Sequence, residues 1–255
     1  DGDIIDAVNT SVGIRSAQFR MDDGLHVNEQ RVRLRGFCNH NDFAGGNNHL
    51  VQYSLSNQQN GRGSQPCMKF ACADDVQGSA LPFHHGSICF VLKSCGRYGN
   101  AWRMSHNPGA QSTYDILDRL GVMVWDETRQ LGTDSVFVQG MRDMVTQHRN
   151  HPSVLIYSMC NEVHCQYYDW DFRSPMGAIP LEASALFRDA IHSTDYSRPA
   201  SANMVAFGND TMSTNLDVQG FSHGGGHQGP AYRAAGFKNP VINSECCSCR
   251  TLRGA

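Results

Sequence analysis

His148-Arg149-Asn150-His151-Pro152-Ser153-Val154-Leu155-Ile156-Tyr157-Ser158-Met159-Cys160-Asn161-Glu162 is the stretch on which the fold turns. It opens on the last residue of a helical pattern, passes through a polar link, and continues as a strand-like apolar run from Val154 to Met159. A glutamate closes it. Upstream, Phe137, Met141, Met144, Val145 and His148 recur at helical spacing with polar residues between them. Before them Val122-Met123-Val124-Trp125-Asp126-Glu127 reads as a buried strand ending in acids. Ser112-Thr113-Tyr114-Asp115 is a capping-box-like helix start, with Asp in place of Glu or Gln. The helix it opens sets Ile116, Leu117 and Leu120 along one side, and Gly121 supplies the stop.

Downstream, residues 181 to 191 form another helical pattern. Strand candidates follow at 199–203, 216–221 and 240–244, the last closing on Glu245. Strands that alternate with helices argue for a parallel sheet with helical crossovers. Polar residues gather at the C-terminal ends of these strands, where a (β/α)8 barrel keeps its chemistry. The expected class is α/β, a TIM barrel over residues 34–255. Residues 1–33 read differently. Val8 to Arg15 is strand-like, and Leu25 to Leu34 alternates about a polar turn at Asn28-Glu29, a hairpin pattern. They are expected to be the last strands of a β-sandwich. Residues 44–97 hold four of the cysteines and no long helical period, and read either as a surface insertion or as sequence not selected to fold here.

Composition excludes several classes. The chain has 255 residues, 40% hydrophobic content and a formal net charge of -3, the profile of a soluble globular chain. No basic block points to nucleic acid. No apolar run approaches the roughly 20 residues that cross a bilayer, so no membrane partner is expected. Asp1 to Asp6 has no basic-then-apolar pattern and no initiator Met, so a piece of something longer is expected. The compartment is left open, as is the oligomeric state.

Ten cysteines are many for this length. Cys246-Cys247-Ser248-Cys249 looks like a metal knuckle, but no CxxC pair or matching His pair answers it. Buried or free thiols are the leading expectation, with bridging or metal binding the alternative.

Glu162 and Glu245 each close a strand-like run. Two carboxylates presented this way are the chemical minimum for cutting a glycosidic bond. One gives a proton to the leaving oxygen, and the other attacks the sugar carbon or activates water. Counting strands at 33–38, 100–104, 122–126, 154–159, 199–203, 216–221 and 240–244 puts Glu162 after the fourth and Glu245 after the seventh.

Several motifs stand in order along the chain: Leu34-Arg35-Gly36-Phe37-Cys38-Asn39-His40, Asn100-Ala101-Trp102-Arg103-Met104-Ser105-His106-Asn107-Pro108, Val124-Trp125-Asp126-Glu127, Arg149 to Val154 running into Asn161-Glu162, and Ile242-Asn243-Ser244-Glu245. Together they resemble glycoside hydrolase family 2, the β-galactosidase, β-glucuronidase and β-mannosidase family. The resemblance implies a retaining mechanism with Glu162 as acid/base and Glu245 as nucleophile, the carboxyl groups roughly 5–5.5 Å apart. It implies that Arg103 hydrogen-bonds the nucleophile, that Asn161 binds the sugar 2-hydroxyl, and that His40 and His106 contact the sugar. His148 and His151 flank a helix end and read as structural.

The pattern also departs from the family. Where magnesium-binding members carry Glu and His, this chain has Thr128-Arg129-Gln130-Leu131-Gly132, so neither a catalytic metal nor any cofactor is expected. Phe221-Ser222-His223 stands where the family often has Asn-Tyr. The link between the first two barrel strands is much longer than usual. Ala255 follows Glu245 so closely that the eighth strand is expected to be missing and the barrel incomplete. The expected function is a retaining exo-β-glycosidase, most β-galactosidase-like, with an oligosaccharide or glycoconjugate as substrate. The alternative is a truncated or pseudogene-derived fragment with at most carbohydrate binding. A weaker third reading is a metal-binding module built on the cysteines.

Overall fold

The computed structural model describes residues 6–7, 12–40, 71–72, 99–129, 131–162, 165, 179–204, 211–222 and 228–245. Three short strands come first: β1 (Ala17–Arg20), β2 (Gly24–Val27) and β3 (Gln30–Arg31). They pair antiparallel in the order β1-β2-β3. Asn28 and Glu29 join β2 to β3 with φ of 48° and 67°. Two left-handed residues in a two-residue link twist the chain as a hairpin requires. The expected strand from Val8 to Arg15 does not form over 12–15, and its earlier residues lie outside the described ones. Val12 and Ile14 of this stretch are largely exposed, Ile14 at 96%. Arg15 instead reaches the barrel, donating from Nη2 to the carbonyls of Ser153 (3.2 Å) and Val154 (2.6 Å).

The rest alternates as the pattern predicts. In order come β4 (Gly36–His40), β5 (Ala71–Cys72), β6 (Ala101–Ser105), α1 (Gln111–Leu120), β7 (Met123–Glu127), α2 (Ser135–His148) and β8 (Val154–Asn161). Then follow α3 (Ile179–Thr194), β9 (Ala200–Met204), a 3-10 turn (Thr211–Asn215), β10 (Val218–Ser222), α4 (Gln228–Ala234) and β11 (Val241–Glu245). The strands form one sheet in the order β11-β10-β9-β8-β7-β6-β4-β5, every pair parallel. All seven expected barrel strands are present, in the expected order and displaced by only a few residues.

Two details differ from expectation. Helix α1 begins at Gln111, so Ser112 lies inside it, and Ala110 caps it without a side-chain hydrogen bond. Gly121 does end it, left-handed at φ 67°. The second difference is β5. The sequence leaves β4 without an outer neighbour, yet Ala71–Cys72, from the 44–97 stretch, pairs there, Phe37 with Ala71 and Cys38 with Cys72. Backbone donors and acceptors on an open edge accept any extended segment, so no side-chain pattern announces it. Among the described residues β5 and β11 share no ladder, and hydrogen-bonded closure stops between them.

Strand alternation sorts the side chains. Trp102, Met104 and Val124 face outward and pack with Leu117 of α1, Met141, Met144 and Val145 of α2 and Phe187 of α3. Ala101, Trp125, Ile156, Val218 and Ile242 face inward and close the barrel floor with Leu25 from the hairpin. Each fully buried side chain of this size contributes about 1.5–3 kcal/mol. Gly36 is where β4 comes close to β6. A Cβ there would stand 2.0 Å from the Ala101 carbonyl oxygen. Among the described residues no helix is long and apolar enough to cross a membrane.

Candidate active site

The C-terminal ends of the parallel strands converge on one buried guanidinium. Arg103 sits in β6, in the inward-facing half of the strand, with no exposed surface. It donates from Nε and Nη2 to Glu127 at the end of β7, at 2.9, 2.7 and 2.6 Å. From Nη1 it donates to Glu245 Oε1 at the end of β11, at 2.5 Å. Nη2 also reaches Asn161 Oδ1 at the end of β8, at 2.8 Å. The guanidinium lies 5.5 Å from the Trp125 ring centroid, within cation–π range. A planar fork of five donors is what lets one side chain serve three strand ends.

Burial works against the charge on Arg103, but the surrounding Glu127 and Glu245 outweigh it and hold the guanidinium protonated well above its ordinary range. The positive charge in turn stabilises the negative charge on Glu245. His106 completes the cluster. Its Nδ1 lies 2.8 Å from Glu127 Oε1, and its Nε2 lies 3.7 Å from Glu245 Oε1 and 3.4 Å from Asn161 Nδ2.

Below Asn161 runs a second tier. Asn203 in β9 donates from Nδ2 to Asn161 Oδ1 at 2.6 Å and to Ser222 Oγ at 2.7 Å. Ser244 donates to the Asn203 amide oxygen and to the Phe221 carbonyl, the latter at 2.9 Å. The Asn161 amide is thereby oriented from both sides. Its oxygen accepts from Arg103 and Asn203, and its NH2 group lies beside His106 Nε2.

Glu162 joins this end of the barrel through its backbone. Its N–H donates to the Asn203 carbonyl at 2.6 Å, and its own carbonyl accepts from the Cys165 N–H at 2.9 Å. Its φ is 48°, in the left-handed region, which costs a non-glycine residue about 1 kcal/mol and persists only where neighbours enforce it. Cys160, the penultimate residue of β8, and Cys165 form a disulfide with Cα atoms 5.2 Å apart. Two of the ten cysteines are therefore bridged rather than free. Cys38 is a buried thiol that donates to the Ser244 carbonyl at 3.1 Å. The Cys246-Cys247-Ser248-Cys249 run lies outside the described residues.

Of the residues the sequence singles out, Arg103, His106, Asn161 and Glu245 meet in one hydrogen-bonded cluster. Glu162 follows Asn161 directly. His40 ends β4 with its backbone in register with Ser105, and its side chain lies outside the described ones. His148 and His151 stand away from the cluster. His148 Nδ1 contacts Asp126 at 2.6 Å, and His151 Nδ1 contacts Asp118 at 2.6 Å. Of Phe221-Ser222-His223, which stands where the family often has Asn-Tyr, Phe221 and Ser222 end β10 and His223 lies outside the described residues.

Sequence reasoning passed over Glu127 and Asn203. Glu127 closes a run that reads as a strand ending in acids, so a signal was present. Asp126 beside it gave the same signal but points to the helix side, where it accepts from Tyr114 at 2.6 Å and contacts His148. Strand alternation separates the two, and only the register says which faces inward. Asn203 carried no signal beyond its place at the end of a strand.

Comparison with known proteins finds relatives of the barrel. Residues 130–219 match the model of the glycosyl hydrolases family 2, TIM barrel domain. The chain is 26% identical over 177 residues to a β-glucuronidase of Bacteroides fragilis, covering 64% of this chain and 21% of that protein. It is 27% identical over 203 residues to a β-galactosidase of Bacteroides ovatus, covering 75% and 20%. A β-galactosidase of Oenococcus oeni is 36% identical over 190 residues, covering 67% and 15%. The chain thus spans about a fifth or less of the length of these relatives. Among solved structures, β-glucuronidase 2 of Bacteroides uniformis superposes with a TM-score of 0.64 over 90% of this chain and 26% of that one, at 18% identity. That likeness speaks to the fold. The chain is a relative of the family 2 glycoside hydrolases, and residues 130–219 are part of that family's TIM barrel domain.

Proposed function

We propose that the protein is a retaining exo-β-glycosidase of the β-galactosidase type, hydrolysing the terminal sugar of an oligosaccharide or glycoconjugate. The observation that carries the reading is the Arg103–Glu245 contact, with Asn161 and His106 alongside. It gives one carboxylate a fixed orientation and a matched positive charge at the mouth of a barrel. Residues 34–255 would form the catalytic barrel, and the small sheet of residues 17–31 would be the end of a preceding sandwich.

In the first displacement Glu245 attacks the anomeric carbon, the bond to the leaving oxygen breaks, and Glu162 gives that oxygen its proton. In the second, Glu162 takes a proton from water, the water oxygen attacks the anomeric carbon, and Glu245 leaves. Asn161 would hold the sugar 2-hydroxyl with its NH2 group, an interaction that strengthens at the transition state. His106 and His40 would contact the sugar. No residue set in this reading holds a metal or cofactor.

The β-galactosidase and β-glucuronidase relatives leave the sugar as the point to test. The protein is assayed with aryl β-galactoside, β-glucuronide and β-mannoside. Turnover of the galactoside above the other two is expected, and preference for the glucuronide would reassign the sugar. Failure to turn over any of the three would overturn the reading. Glu245→Gln should abolish turnover. Glu162→Gln should spare substrates with good leaving groups and cost roughly 10²- to 10⁴-fold on poor ones.

A further inference from the structure

Glu162 is the second carboxylate of the proposed reaction, and the chain around it is tied at three points. Its N–H is held by the Asn203 carbonyl at 2.6 Å, and its carbonyl by the Cys165 N–H at 2.9 Å. The third tie is covalent. Cys160 and Cys165, five residues apart in sequence, are joined by a disulfide that encloses Asn161 and Glu162. Cys165 Sγ also lies 3.3 Å from the Asn203 carbonyl, the same oxygen that accepts from Glu162. Asn203 in turn donates to the Asn161 side chain at 2.6 Å. The bridge therefore closes a ring of contacts around the two residues that the reaction needs most closely placed.

A bridge over so short a segment removes little entropy from the unfolded chain, because loop-closure entropy grows with loop length. Global stabilisation is then a weak reason for it. Both cysteines are fully buried, so solvent reductants have poor access and ready cycling is disfavoured. What the bridge does well is local. It ties the exit of β8 on both sides of Glu162, whose left-handed φ of 48° needs its neighbours to hold it.

We propose that the Cys160–Cys165 disulfide is a positioning device for Glu162, holding its backbone where the carboxyl can serve as the general acid. The proposal rests on the glycosidase reading above. A merely structural bridge would affect all substrates alike. A bridge that positions the acid affects those that need acid help, because a good leaving group departs without protonation.

The test compares the oxidised protein with a Cys160→Ser/Cys165→Ser variant on 2,4-dinitrophenyl and phenyl β-glycosides of the preferred sugar. The expected result is a loss of roughly tenfold to hundredfold in kcat/KM on the phenyl glycoside, with the dinitrophenyl glycoside nearly unchanged. Equal losses on both, or no loss, would overturn the proposal. Should the variant fold poorly, a Cys160→Ala/Cys165→Ala variant, which keeps both buried positions apolar, replaces it. Two readouts do not depend on turnover, so failure of the glycosidase reading is told apart from failure of this one. Non-reducing peptide mapping should recover Cys160 and Cys165 in one linked pair. Hydrogen exchange at the Glu162 and Cys165 amides should quicken when the bridge is removed, while the melting temperature holds. Unlinked thiols, or unchanged exchange, would equally overturn it.

Discussion

Arg103 is the residue on which the site's charge balance rests. It is buried with Glu127 and Glu245 on either side, and each oxygen it contacts is shielded from water. Removing one partner of such a buried set leaves charge uncompensated, which costs about 3–5 kcal/mol. Arg103→Ala should therefore lower the unfolding free energy by about 3–5 kcal/mol as well as abolish turnover, and urea unfolding measures the first part. Arg103→Lys keeps the charge but cannot span three strand ends, so it should fold better than the alanine variant and still lose most of kcat/KM. Rescue of both properties by lysine would show that point charge, and not the fork, is what matters. The same logic applies to Glu127→Gln. It keeps the shape and loses the charge facing Arg103 and His106, and its thermal melting should fall by several degrees.

At the scale of elements, barrel strands approach one another most closely at glycine. Gly36 in β4 faces the Ala101 carbonyl in β6, and a Cβ would meet that backbone oxygen at 2.0 Å. Backbone cannot rotate aside as a side chain can, so β4 would have to move. Gly36→Ala should cost about 1–3 kcal/mol, and an unfolding midpoint equal to the native one would contradict the packing described. The helices are anchored differently. Tyr114 from α1 and His148 from α2 both meet the Asp126 carboxylate of β7, and their rings stack with centroids 4.0 Å apart. Burial, reinforced by Asp126, raises the Tyr114 hydroxyl well above its ordinary value, so it stays a donor at any working pH.

At the scale of the whole molecule, carboxylates at the opposite end of the barrel couple stability to acid. Burial pushes Asp118 up, but hydrogen bonds from His151 and Ser153 outweigh it and hold the carboxyl below its ordinary value. Asp195 is lowered in the same way by Ser197 and Arg198, again against burial. A carboxyl lowered by folding contributes stability above its unfolded value of about 3.9, and that contribution is lost as pH falls through the folded value. Acid unfolding should steepen below about pH 4. Asp118 faces His151, Arg15 and Asp115, and Asp118→Asn should lower stability at pH 7 and flatten that limb. Urea unfolding of both proteins from pH 3 to 7 checks this, and parallel curves would sink it.

The order of the barrel's elements was legible in local sequence patterns. Apolar runs such as Val154–Met159 and the helical spacing of Met141, Met144, Val145 and His148 are local patterns, and local patterns survive without knowledge of neighbours. The sequence also placed Glu162 and Glu245 at strand ends, because a polar residue closing an apolar run marks where the strand meets solvent. Facing and pairing were decided only by tertiary structure. Asp126 and Glu127 are adjacent acids with the same sequence signature, yet strand register sends one to the helices and the other to Arg103. Ala71–Cys72 had no signature at all, because a backbone ladder asks only for an extended segment in reach. Cys160 and Cys165 were two cysteines among ten until the turn after β8 brought their Cα atoms to 5.2 Å. Distances between residues far apart, or around a tight turn, are properties of the folded chain, and one-dimensional spacing does not contain them.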